Sequence, residues 1–280
     1  MRTRVADNCV MYLDFYGLKE EPFSITPDPR YIFYSPRHRE AFDLLTYAIM
    51  HRRGFIELSG EVGSGKTTLC RAVLSSLPSQ VHTALVLNPS LTETQLLRAI
   101  LHDLGLTAKG RDRLSHIEQL NNYLLFMARE GMTVAVFIDE AQDLSPLVME
   151  QIRLLSNLET DQHKLLQIVL SGQPELRDLL NRHELRQLKQ RISVRCHLGS
   201  LNIGETAEYI AHRLMIAGAT NGSIRFAPQA VEIIFAHTKG TPRLINTVCD
   251  QALLAGYVAD TRLIGIEEAK RAISEVEVPA

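Results

Sequence analysis

At 280 residues the chain is long for one module, and at about 150 residues per domain it points to about two. Hydrophobic residues make up 45% and charged residues 22%, which supports a buried core and argues against disorder. Against 32 acidic side chains stand 30 basic ones, a net charge of -2 that excludes a strongly basic nucleic-acid binder, though not a local basic patch. The four cysteines, Cys9, Cys70, Cys196 and Cys249, are far apart and read as reduced thiols of a cytosolic protein. No stretch approaches the roughly 18 apolar residues of a membrane span, and the N-terminus has no apolar core of a signal peptide.

In chain order, residues 1–11 show no periodicity and read as a flexible leader, with Met11 an equally good start. Residues 12–35 are rich in aromatics and prolines (Phe15, Tyr16, Pro22, Phe23, Pro27, Pro29, Tyr31, Phe33) and suit an irregular strap laid across an apolar surface. Helical spacing then places Phe42, Leu45, Ala48 and Ile49 on one side of Pro36–Met50. Strands are predicted at Phe55–Ser59, Thr83–Leu87, Val134–Ile138, Leu166–Ser171 and Ile192–Leu198. Between them lie helices at Lys66–Leu77, Glu93–Leu104, Ser115–Arg129, Leu147–Leu158 and Pro174–Asn181. That alternation predicts a parallel sheet covered on both faces. After Leu201 the strand signals stop and four helices follow: Gly204–Ala217, Pro228–Thr238, Arg243–Val258 and Glu267–Val276. The division is therefore an α/β domain at 12–201, strap included, and a helical domain at 202–280.

The strongest motif is Gly60-Glu61-Val62-Gly63-Ser64-Gly65-Lys66-Thr67, a full GxxxxGK[ST] between a strand and a helix. Glycines there let backbone N–H groups turn inward around phosphate oxygens at a helix N-terminus. Lys66 is placed to reach the β- and γ-phosphates, and the Thr67 hydroxyl to coordinate Mg2+. The run Val134-Ala135-Val136-Phe137-Ile138 ends in Asp139-Glu140, two carboxylates at the carboxyl end of a buried strand, where ligands of such sheets sit. Asp139 is the candidate for holding Mg2+ through its water shell, and Glu140 for orienting or deprotonating the attacking water. A nucleoside triphosphatase follows. No NKxD-type guanine signature is present, so ATP is the expected nucleotide. The histidines lack zinc-ligand spacing, and Met127, Met149 and Met215 read as core filler on helical faces.

Together the motifs resemble the AAA+ ATPases, and more narrowly the ExeA/GspA type, related to MSHA-pilus and exosortase-associated ATPases. The resemblance rests on Tyr16-Gly17-Leu18, Glu21-Pro22-Phe23, Thr26-Pro27-Asp28-Pro29, the loop through Thr68 and Leu69, Ile138-Asp139-Glu140-Ala141-Gln142, Ser171-Gly172-Gln173-Pro174-Glu175-Leu176 and Gly240-Thr241-Pro242-Arg243-Leu244-Ile245-Asn246. It implies a three-layer αβα P-loop domain with sheet order 5-1-4-3-2, followed by a helical lid. It also implies that Gly60 to Thr68 cradle ATP, that Ser171 or Gln173 is the polar sensor after the fourth strand, and that Arg243 is the lid arginine. An arginine finger is expected at Arg191, with Arg186 and Arg195 close enough to be alternatives, and with it a homo-oligomer whose sites are shared between subunits.

The process implied is bacterial envelope assembly (type II secretion, pilus or exopolysaccharide export), in the cytoplasm, with a protein partner at the inner membrane. The longer secretion-type members carry a membrane helix and a peptidoglycan-binding region after the ATPase core, and this sequence ends about four residues after its last predicted helix. Direct cell-wall binding is therefore not expected of it. The competing reading is a DNA-associated ATPase assisting transposition or replication initiation. The basic cluster Arg182, Arg186, Lys189, Arg191 and Arg195 supports that reading, and the near-neutral net charge opposes it.

Overall fold

Five short apolar runs become five strands: β1 (Phe55–Gly60), β2 (Val81–Val86), β3 (Thr133–Ile138), β4 (Leu166–Gly172) and β5 (Ile192–Leu198). All pair in parallel, in the order β2-β3-β4-β1-β5, the expected 5-1-4-3-2. The strands at the middle of the order, β1, β3 and β4, are buried almost throughout, as β-branched and aromatic residues require of strands covered on both faces. In this computed structural model residues 12–87, 91–155, 157–158, 164–220 and 222–276 are described. The leader at 1–11, with the alternative start Met11, lies outside them.

The chain divides into two units. The α/β unit takes in residues 36–62 and 66–198, and its crossovers are helical. Its helices are α1 (Pro36–Met50), α2 (Lys66–Ser76), α3 (Glu93–Asp103), α4 (Arg113–Arg129), α5 (Pro146–Leu155), α6 (Glu175–Leu180) and α7 (Arg186–Arg191). Their starts follow local chemistry. Thr92 and Gln95 close a capping box on α3, and the Asp112 carboxylate accepts from the Ser115 N–H at the start of α4. The core joins Leu96, Leu97, Leu120 and Leu124 of the helices to Val134, Val136, Ile138, Ile168 and Leu170 of the strands. One charged residue breaks the apolar pattern: Glu57 of β1, 2% exposed. It lies in register with Arg195 of β5, whose guanidinium donates to it at 3.2 Å, while Arg177 donates at 3.0 Å.

The second unit takes in residues 12–35, 63–65 and 199 onward. Its helices are α8 (Ile203–Ile216), α9 (Pro228–Thr238), α10 (Pro242–Val258) and α11 (Ile266–Val276). Tyr12, Tyr16, Leu18 and Phe23 are buried in one cluster with Ile210, Leu214, Val248, Cys249 and Leu253. Each such aromatic side chain contributes about 1.5–3 kcal/mol by burial. Polar ends find partners: the Tyr16 hydroxyl donates to the Leu253 carbonyl at 2.9 Å, and the Lys19 N–H to the Ala217 carbonyl at 2.8 Å. Arg213 of α8, 6% exposed, donates to the carbonyls of Pro22 and Ser24 and to the Tyr209 hydroxyl. Its guanidinium also lies 4.7 Å from the Tyr31 ring centroid.

Four expectations need correction. The aromatic strap at 12–35 belongs with the helices, not with the α/β domain, because those helices offer the apolar surface that its rings fill. It is also partly regular: residues 12–16 are helical and Pro29–Tyr31 form a 3-10 turn. Strand structure does not stop at Leu201, since Arg225–Phe226 (β6) pairs in parallel with Leu263–Ile264 (β7), a pairing too short to leave a periodic signal. Met215 is 62% exposed rather than core, while Met127 and Met149 are buried as expected. The basic stretch at Arg186–Arg191 is itself a helix, anchored by the single buried Leu188.

Arg213→Ala removes the donor to the buried Pro22 carbonyl and one of the donors to the part-buried Ser24 carbonyl, and an expected loss of about 2–3 kcal/mol follows. Lower thermal stability with faster proteolysis inside residues 12–35 is the expected result. Unchanged cleavage there would show that the apolar contacts alone hold the strap.

Candidate active site

The loop between β1 and α2 is built by its glycines: Gly63 and Gly65 have φ of 77° and 98°, a region that side-chain-bearing residues avoid. Glu61 and Val62 are exposed, so their part in the loop is played by backbone. Lys66, the first residue of α2, is 5% exposed, and its Nζ donates to the carbonyls of Gly60 at 2.7 Å and Glu61 at 3.0 Å. Burial holds the Lys66 pKa below the usual lysine value, against the opposing pull of Glu140, Asp139 and Glu61. Thr67 and Thr68 follow in the first turn, where helix N–H groups have no intrahelical acceptor.

Opposite Thr67 lies the end of β3. The Thr67 hydroxyl donates to Asp139 Oδ2 at 2.6 Å, and the Ser171 hydroxyl, from β4, donates to Asp139 Oδ1 at 2.7 Å. The Glu140 N–H also donates to Oδ1, at 3.1 Å. Thus Asp139 joins the loop helix to β4. Glu140 is left-handed at φ 49°, which turns its side chain out of the strand alternation. Its Oε2 accepts from the side-chain amides of Gln142 at 2.8 Å and Gln173 at 3.2 Å. Gln142 Oε1 in turn accepts from the Gln173 backbone N–H at 3.0 Å.

The two sensor alternatives therefore both reach the carboxylate pair: Ser171 touches Asp139 and Gln173 touches Glu140. Gln142 was given no role by the sequence reading. The visible signal was its place two residues beyond Glu140, but the left-handed turn that brings it back is not visible in a linear pattern. Glu57 was missed as well, although a carboxylate inside Phe55-Ile56-Glu57-Leu58-Ser59 is the kind of buried charge that demands a partner.

The arginines separate by their partners. Arg195 is committed to buried Glu57. The Arg191 Nη1 donates to the Arg153 carbonyl at 3.2 Å and to Asn157 Oδ1 at 2.6 Å, both neutral acceptors. Arg186 is exposed, and its side chain makes no hydrogen bond or ion pair among the described residues. Arg243 belongs to the helical unit, in the first turn of α10, with its side chain exposed. Within that unit its N–H donates to the Gly63 carbonyl at 3.2 Å, and a Cβ on Gly63 would stand 2.5 Å from the Arg243 Cβ.

A buried ammonium at a glycine-built helix N-terminus, beside the hard oxygen donors of Thr67 and Asp139, fits a nucleotide phosphate chain and a magnesium ion. These features and the sheet order define a P-loop nucleotide-binding fold of the AAA+ kind. Residues 49–180 match the AAA domain family. Over 255 residues the chain is 44% identical to General secretion pathway protein A of Aeromonas hydrophila, which covers 91% of this chain and 46% of that protein. The chain is an AAA+ protein of the ExeA/GspA type, and it spans about half the length of that curated relative.

Solved structures share the fold at low identity. The Aeropyrum pernix ORC2 protein (ADPNP-ADP complexes) matches with a TM-score of 0.69 and 17% identity, over 93% of this chain and 72% of that one. Drosophila ORC bound to DNA matches with 0.71 and 17%, over 100% and 69%. The Thermotoga maritima RuvB Holliday junction branch migration motor matches with 0.58 and 19%, over 88% and 70%. Among the described residues no helix is long and apolar enough to cross a membrane.

Proposed function

We propose that this chain binds and hydrolyses ATP with magnesium and, as an oligomer, drives or switches a step of bacterial envelope assembly. The observation that carries the chemical part is the paired bonding of the two carboxylates, Asp139 to Thr67 and Ser171, Glu140 to Gln142 and Gln173. When bound, the magnesium ion supplies charge neutralisation for the phosphate chain. Lys66 and the N–H groups of Gly60 to Thr68 hold the phosphates, and Thr67 with Asp139 supplies the metal-side oxygens. Glu140 takes the proton of the attacking water, its carboxylate aimed by the two glutamine amides. Gln173 is the sensor in this reading, since its amide already faces the catalytic carboxylate, and Ser171 acts through Asp139. Arg243 answers nucleotide state from the helical unit through its charge.

The finger assignment stays with Arg191. Arg191 hydrogen-bonds a backbone carbonyl and an exposed amide oxygen, whereas the departure of Arg195 would strip a buried carboxylate. Such an arginine raises turnover by about 10³–10⁵ when it completes a neighbouring site. The expected result is specific activity that rises with protein concentration in wild type and is lost in Arg191→Ala but kept in Arg186→Ala. Loss in Arg186→Ala alone moves the finger to α7's first residue. Activity independent of concentration and of both arginines removes the shared site.

The process is proposed from the 44% identity to a protein named for general secretion, and a cytoplasmic location with an inner-membrane protein partner goes with it. The DNA reading is opposed by the near-neutral net charge of -2 and by the pairing of Arg195, one member of its basic cluster, with buried Glu57. Labelled duplex left unshifted at low salt is the expected outcome. A salt-dependent shift would restore that reading.

A further inference from the structure

Away from the loop and the two carboxylates, the α/β unit carries a cavity of about 790 Å³ between α3, the turn that follows it and the first turns of α4. Arg98, His102, Arg111, His116, Thr94 and Thr107 are among its lining residues, and no carboxylate is. None of them belongs to the site described above. Its volume falls in the range of about 300–1,000 Å³ that small-molecule sites occupy.

Two independent features point to an anion. The nearby carboxylates are spent elsewhere: Glu93 pairs with Arg113 at 2.9 Å, Asp112 accepts from Ser115, and Asp103 accepts from the Leu85 N–H at 2.6 Å. The side chains of Arg98 and Arg111 are left without an ion pair or hydrogen bond among the described residues, on the rim of a cavity with no carboxylate in its lining. Beneath them His116 is 2% exposed, and neither of its ring nitrogens has a hydrogen-bond partner among the described residues. A buried imidazole with both nitrogens idle is costly. Both nitrogens are closed to solvent where they stand, so a turn of the ring toward the cavity is what would bring them to a ligand oxygen.

We propose that this cavity is a second ligand site, separate from the P-loop, that binds a small phosphate-bearing anion through Arg98, Arg111 and His116. The phosphate class follows from the number of donors. Two guanidinium forks, the imidazoles and two threonine hydroxyls offer more N–H and O–H groups than one carboxylate has lone pairs to accept. The site sits on the segment that joins β2 to β3, so its occupant is able to stiffen α3 and α4 without touching the nucleotide.

The test is calorimetric titration of inorganic pyrophosphate into the full chain carrying Lys66→Ala, which disables phosphate binding at the P-loop. One binding event is expected, weakened at least tenfold by adding Arg98→Gln with Arg111→Gln, and likewise by adding His116→Leu. The arginines are exposed and the leucine keeps the buried volume, and circular dichroism confirms that each variant is folded. Absence of any binding overturns the site, as does equal affinity in the added variants. Citrate bound as tightly as pyrophosphate overturns the phosphate assignment.

Discussion

Glu140→Gln is expected to leave ATP bound and to lower kcat by about 10²–10⁴-fold, the range a positioned general base contributes. The substitution keeps the shape of the side chain, and the carboxamide oxygen still accepts from the Gln142 and Gln173 amides that hold Glu140 Oε2. What is lost is the ability to take a proton. Asp139, Thr67 and Lys66 are untouched, so nucleotide affinity stays near the wild-type value, and the loss appears in kcat rather than in KM. Single-turnover hydrolysis beside equilibrium nucleotide binding reads both quantities. Hydrolysis within tenfold of wild type would place the base elsewhere, and lost binding would make Glu140 a structural residue of the loop.

Gly240→Ala is expected to be the most damaging single methyl in the helical unit. Gly240 has φ 75°, and a Cβ there would stand 1.9 Å from the Leu201 carbonyl oxygen. The same backbone stretch is bonded to its neighbour, the Leu201 N–H donating to the Gly240 carbonyl at 2.9 Å, so neither side can retreat without breaking that bond. Left-handed strain and backbone overlap together are worth about 3 kcal/mol or more. Gly222→Ala is the control, because Gly222 also has positive φ, 87°, yet a Cβ there meets nothing within 4 Å. Strain alone costs about 1–2 kcal/mol. A thermal midpoint lowered much further in Gly240→Ala than in Gly222→Ala is the expected result; equal shifts would mean that the crowding relaxes.

The parts readable in advance are those whose reason lies within a few neighbouring residues. Gly60 to Thr67 announces itself because a phosphate cradle needs glycines and a lysine at fixed offsets on one turn of chain. The five strands were visible as short apolar runs, with ends moved by a residue or two where side-chain pattern fades, as in Val81–Val86 against the expected Thr83–Leu87. The carboxylate pair after β3 was legible for the same reason, a polar stop on a buried strand.

Other features depend on partners far along the chain. Whether an arginine is free or spent is set by what packs beside it: Arg195 meets Glu57 across 138 positions, and only strand register puts them together. The strap at 12–35 lies with the helical unit because Tyr16 finds the Leu253 carbonyl 237 residues away. Composition marked it as apolar without saying which surface it would cover. By itself the sequence determined the nucleotide loop, the acidic strand end and the alternation of strands and helices, since each is a local pattern. Only the tertiary structure decided that Gln142 and Gln173 both bond Glu140, which arginines are already engaged, and that His116 lies buried at a basic cavity with neither nitrogen bonded among the described residues. Those depend on long-range packing, which no window of neighbouring residues contains.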